Sequence, residues 1–150
     1  MIELLAMAHL RNCIPEVGGN VFGAILPQDV VECSGDYLLV EPQPDTVVQD
    51  SCGITITEGF VVEYRRKVEK IDRRGEKNTA FARQIRDELI GTLHRWVPGS
   101  EYGLTQYQGG GFSGLANGET RFRFNFSVEL KCTDQISVEK QQQWNEIANG

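Results

Sequence analysis

Apolar residues recur at helical spacing at the start of the chain, where Met7, Leu10 and Ile14 fall three and four apart and Leu4 lies close to the same stripe. Pro15 interrupts that run. Proline suits a first helical turn, so a second short helix is expected to place Val17, Val21, Ala24 and Ile25 on one face, although Gly18-Gly19 disfavours it. From Pro27 to Gly53, turn signals at Ser34-Gly35-Asp36 and Pro42-Gln43-Pro44-Asp45 predict a loop-rich stretch with one short strand, Tyr37 to Val40. Ile54 to Thr57 then alternates as a half-buried strand, and Glu58-Gly59 suits a tight turn or bulge into the next one. In that next strand Phe60, Val62, Tyr64 and Val68 point to one side and Glu63, Arg65, Lys67 and Glu69 to the other, with Arg66 breaking the apolar side.

The securest helix follows. Asn78 or Thr79 is placed to cap it, Pro98-Gly99 stops it after about Trp96, and Phe81, Ala82, Ile85, Leu89, Leu93 and Trp96 form its apolar stripe. Arg83 and Asp87 are spaced for a surface pair, and His94 and Arg95 would sit in a last turn that favours positive charge. A strand over Tyr102 to Gln108 and a Gly-rich connection at Gly109 to Gly114 lead to a turn at Asn117-Gly118. The clearest strand comes last: Phe122, Phe124, Phe126, Val128 and Leu130 alternate with Arg121, Arg123, Asn125, Ser127, Glu129 and Lys131. Burying each phenylalanine stabilises a fold by roughly 1.5 to 3 kcal/mol before chain entropy is counted. Strands on both sides of one strong helix predict an α+β fold. It is a largely antiparallel (mixed) β-sheet packed on one face by α-helices, a two-layer sandwich.

Size and composition narrow the class. At 150 residues the chain suits one compact domain that buries roughly two-thirds of its unfolded surface, expected over residues 1–133. Residues 134–150, with Ile136, Val138, Trp144 and Ile147 around three consecutive glutamines, read as a terminal arm or weak helix. With 40% hydrophobic and 24% charged residues, the composition is that of an ordinary globular protein. No apolar run approaches the roughly 20 residues needed to span a bilayer. The N-terminal segment carries Glu3 where a secretory leader would carry bases, so it reads as part of the fold. A net charge of −6 argues against dedicated nucleic-acid binding, while leaving room for a local basic patch.

Candidate chemistry is sparse. Cys13, Cys33, Cys52 and Cys132 are widely separated and read as free thiols, the even count permitting disulfides without requiring them. With no Cys-x-x-Cys pair and only His9 and His94 to complete a zinc shell, no metal site is expected. There is no Gly-x-Ser-x-Gly elbow, and both histidines have structural readings, His9 within the first helix and His94 beside a helix end. Gly109 to Gly111 leads to a strand without the Gly-Lys-Ser/Thr of a phosphate loop, so it reads as a connection whose tip is free to meet a partner. The run Arg65 to Arg74 holds six bases against two acids. It reads as a solvated strand edge or as a charged interface, with a neighbouring subunit or with passing nucleic acid.

Three segments in order, Leu10-Arg11-Asn12-Cys13-Ile14-Pro15-Glu16-Val17-Gly18-Gly19-Asn20-Val21-Phe22, the strand and helix from Ile54 to Trp96, and Gly109 to Leu130, resemble the tail-terminator (minor tail, tail-completion) proteins of long-tailed bacteriophages. The resemblance spans most of residues 4–131. It implies a small α+β subunit that forms a ring, commonly a hexamer, at the head-proximal end of the tail tube, halting tube growth and presenting a surface to the head connector. It implies a virion location after assembly in the bacterial cytoplasm, DNA passing through the ring lumen, and no catalytic residue or cofactor. A ring subunit meets two neighbours head to tail. The expected contact surfaces are a basic hairpin at 65–77, with Arg65, Arg66, Lys67, Arg73 and Arg74, the Gly-rich loop with Phe112, and the tail with Trp144. Another neck component, such as a head-closure or connector protein, is the neighbouring alternative, and a small enzyme or ligand-binding domain would require a concave pocket with convergent polar groups.

Overall fold

A computed structural model describes residues 2–14, 20–23, 36–51, 53–68 and 74–130. Helix α1 (Ile2–Cys13) is followed by strands β1 (Val21–Gly23), β2 (Tyr37–Asp50) and β3 (Gly53–Lys67), helix α2 (Glu76–Leu93), and strands β4 (Gln106–Ala116) and β5 (Glu119–Leu130). The strands form one sheet in the order β1-β2-β3-β5-β4, parallel only between β1 and β2. Both helices pack on its apolar face, so the architecture is the expected α+β sandwich.

The core follows from two periodicities. On α1 the buried residues are Ile2, Ala6 and Leu10, continued by Ile14, one residue every four. Leu4 is 59% exposed, because at 100° per residue it sits on the opposite side of the helix from Ile2. From the sheet, Leu38, Val40, Phe60, Val62, Tyr64, Phe124, Phe126 and Val128 rise toward Ala82, Ile85, Leu89 and Leu93 of α2. Phe60 and Phe126 are cross-strand partners with stacked rings 5.4 Å apart.

Several elements differ from the sequence expectation for identifiable reasons. The second helix is not formed at Val21, which lies in β1 pairing with Leu38; Arg11 at the end of α1 donates two hydrogen bonds to the Val21 carbonyl, at 2.7 and 3.2 Å. Its other residues, Val17, Ala24 and Ile25, fall outside the described set. Strand β2 does not end at Val40 but runs through both prolines to Asp50. Beyond Val40 it has no β1 partner among the described residues, which suits Pro42 and Pro44 with their missing N–H groups, and the register shifts between Gln43 and Thr46. Glu58-Gly59 is not a turn: flanked by β2 and β5, it lies inside the continuous β3, and the bulge expected there is carried by the facing strand, in the register shift between Gln43 and Thr46 opposite Glu58. Val68, just past β3, is 43% exposed rather than on the core side.

Helix α2 starts at Glu76, so residues 76 and 77 belong to a helix rather than a basic hairpin. Its N-cap is Gly75, at φ 71°, with no side-chain cap. It ends at Leu93; His94 is extended and Arg95 takes φ 68°, which turns the chain so that Arg95 N–H donates to the Thr105 carbonyl at 2.7 Å. Asp87 pairs with its neighbour Arg86 at 3.0 Å, not with Arg83 at the expected helical spacing. The expected strand over Tyr102 to Gln108 begins only at Gln106, and the glycines at 109–111 are inside β4 rather than in a loop. The loop is Asn117-Gly118 alone, both at positive φ as a two-residue hairpin turn requires. An added Cβ on Gly110 would lie 2.1 Å from the Arg123 carbonyl oxygen, so this close approach of two strands demands glycine.

Candidate assembly surfaces

The basic run at the end of β3 divides by strand alternation. Arg66 turns to the helix side, where its side chain is 8% exposed: Nε donates to Asn78 Oδ1 at 2.8 Å, one terminal nitrogen to Asp36 at 3.0 Å, and the guanidinium lies 4.0 Å from the centre of the Phe81 ring. The Tyr64 hydroxyl donates to the same Asp36 carboxylate. Burial, with Asp36 alongside, pushes the Tyr64 hydroxyl above its ordinary range. Arg66 and Asn78 thus fasten α2 to the sheet, and Asn78 serves that contact instead of capping the helix.

Arg65 turns to the opposite face, away from α1 and α2, and enters an ion-pair ladder across three strands. Glu63, 6% exposed, accepts from Arg65 at 3.0 Å and from Arg123 at 2.8 Å, with Arg121 at 3.9 Å, while Arg123 also donates to Glu41 at 2.8 Å. Three guanidinium groups face two carboxylates here. On the same face Tyr37, Leu39 and Val61 are buried, and the Arg65 guanidinium lies over the Tyr37 ring, 5.9 Å from its centre. Lys67 and Arg74 are exposed, whereas Arg73 and Trp144 lie outside the described residues. Among the cysteines, Cys13 is free and exposed, and Cys33, Cys52 and Cys132 lie outside the described residues.

Phe112 stands on β4, the outermost strand at one side of the sheet, and is 64% exposed, touching Phe122 edge-on at 5.6 Å. Beside it a groove of about 160 Å³ opens between α2 and β4, with Phe112, Phe122, Phe124 and Ala82 on its apolar walls and Arg83 and Arg86 on its rim. A larger concavity of about 440 Å³, near Thr57, Gln106, Gln108, Ser127 and Glu129, gathers amides and hydroxyls with one carboxylate. A second apolar patch had no place in the sequence expectation. Past the last β3–β5 pair, Ile56 with Leu130, the β2–β3 hairpin continues through Val48–Thr55 to Asp50–Gly53. On this arm Val47 and Val48 are 57% and 56% exposed, and Ile54 37%. The β-branched run Thr46-Val47-Val48 was the available signal.

The histidines are packing residues. His9 stacks on Trp96 with ring centres 4.5 Å apart and planes 1° from parallel, and its Nε2–H donates to the Thr92 carbonyl at 3.2 Å. Together they tie α1 to the end of α2. Cys13 Sγ lies 3.9 Å from His9 Nδ1 on the exposed side of the same helix. His94 Nδ1 accepts from the Tyr107 backbone N–H at 3.2 Å. Among the described residues, no three His, Cys, Asp or Glu side chains gather where they could hold a metal ion. No helix among them is long and apolar enough to cross a membrane.

Solved structures provide a point of comparison. A chain from the virion of a native gene transfer agent particle has the same fold, with a TM-score of 0.56 over 86% of this chain and 93% of that one. Sequence identity is 15%, so the likeness is one of architecture over nearly the full length of both chains. No family model and no curated protein matches the sequence.

Proposed function

We propose that this chain is a structural subunit of a phage-like virion, a tail terminator that closes into a ring, as a hexamer, on the head-proximal end of the tail tube. The observation that carries the reading is the fold shared with a virion chain along almost its whole length. Independent support comes from the order of segments that resemble tail terminators, ending in the Arg-Phe-Arg-Phe-Asn-Phe strand.

The role asks little of the chain chemically. Its work is to fold stably, meet two neighbours through different surfaces, and present one rim to the tube protein and another to the head connector. The exposed perimeter suits that: Lys67 and Arg74 at one end of the sheet, Phe112 at one edge, and the Val47–Val48 arm at the other. An acidic subunit, net charge −6, also suits a lumen through which DNA passes without being gripped.

Electron microscopy of particles assembled without this chain tests the proposal. Overlong tails are the expected result. Tails of normal length on heads that leak their contents would assign the chain to head closure instead, and normal particles would remove it from the virion altogether.

A further inference from the structure

Two exposed apolar surfaces lie in different halves of the sheet, and their flanking charges are opposite. The arm presents Val47 and Ile54 on the side that the helices cover farther along the sheet. The sequence from Pro44 to Thr57 includes Asp45 and Asp50 and no lysine or arginine. The groove presents Phe112 beneath Arg83 and Arg86, and Gly111 leaves bare backbone beside it, with open space where a side chain would stand. Among the described residues Arg86 is held only by an exposed pair with Asp87, a contact weak enough to exchange. Among the described strands β4 is also the outer edge of the sheet, and Gln106 to Ala116 contains no charge and no proline to discourage docking.

We propose that the β2–β3 arm of one copy of this chain seats in the α2–β4 groove of the next, Val47 and Ile54 packing against Phe112 while Asp45 meets Arg83 and Arg86. The occupant is a second copy because the arm supplies what the groove lacks: apolar β-branched side chains with acids beside them. Arm and groove are different surfaces, so each copy uses both, and the contact repeats head to tail until rotation closes it. This contact rests on the ring reading and gives it a specific joint.

Native mass spectrometry of the purified full chain, up to near-millimolar concentration, tests the joint. Val47→Glu disables the arm and Phe112→Glu the groove, both at exposed positions where circular dichroism should match the parent chain. Each variant alone should be monomeric, with self-association weakened about tenfold or more. Mixed together they should form a heterodimer and stop, since one intact arm and one intact groove remain. Exchanging the charges within one chain, Asp45→Arg with Arg83→Asp, should restore assembly that Arg83→Asp alone reduces. Three results would overturn the joint: a parent chain that stays monomeric throughout, variants that assemble like it, or a mixture of folded variants that never pairs. The tail-length experiment decides the ring reading separately, so overlong tails with an unaffected variant would leave the terminator and remove only this contact.

Discussion

The two faces of the sheet are made from the same strands yet held by different forces. Toward the helices, Phe60, Val62, Tyr64, Phe124 and Phe126 form a close-packed apolar layer. On the other face, the alternate residues Glu63, Arg65, Arg121 and Arg123 form an ionic ladder with Glu41. Apolar burial is non-directional and large, so it determines which face turns inward. A partly exposed ladder contributes little net energy, since desolvation and side-chain entropy offset much of its attraction. The helix face therefore holds the subunit together, while the exposed end of the ladder, Arg123 with Glu41, can be rearranged by a partner at small cost.

The sharpest way to break this comparison is Phe126→Ala. It removes the ring stacked on Phe60 and should lower unfolding free energy by about 3 to 5 kcal/mol in denaturant titration. A loss below 1 kcal/mol would mean that the phenylalanine ladder is not the core. Next in size is Arg66→Met, which removes the bonds to Asn78 and Asp36 and should cost about 2 to 3 kcal/mol. Tyr64→Phe should cost about 1 kcal/mol at neutral pH through its lost bond to Asp36. It also carries a sign in pH. Burial raises the Tyr64 hydroxyl above its unfolded value, so its contribution is complete below about pH 10 and is lost as pH rises further. The variant should therefore show a shallower alkaline decline. Tyr102, raised by its own burial and by Glu58, should keep the remainder of that decline. Smallest is Glu41→Gln at the exposed end of the ladder, expected to change stability by less than about 1 kcal/mol and to lessen the salt dependence.

Local patterning made the helix-backed core legible. The period of two in Phe122 to Leu130 and the stripe Ala82, Ile85, Leu89 and Leu93 could be read from the sequence because burial alone explains them. What could not be read depended on distant neighbours. Pro42 and Pro44 signal a turn until topology shows that this stretch of β2 lies beyond its β1 partner. Three consecutive glycines signal a loop until β5 supplies a partner for every one of them. Strand β1 spans only three residues, too few to display a period.

The candidate surfaces were legible to a similar degree. Phe112 was identifiable as an apolar residue among turn formers. Alternation already set Arg65 and Arg66 on opposite sides of the strand, but the partners that make Arg66 an internal fastener, Asn78 on α2 and Asp36 thirty positions away, could not be read from the local pattern. The arm was hidden because Val47 and Ile54 become one patch only once the hairpin between them is formed.

Cryo-electron microscopy of the intact particle at its head–tail junction is the most direct measurement. A closed ring of this chain, six copies deep in rotation and one in height, seated on the last layer of tube subunits with helices and sheet traceable, is the predicted result. Density that places this chain elsewhere, or as single copies touching no second copy, would contradict the account.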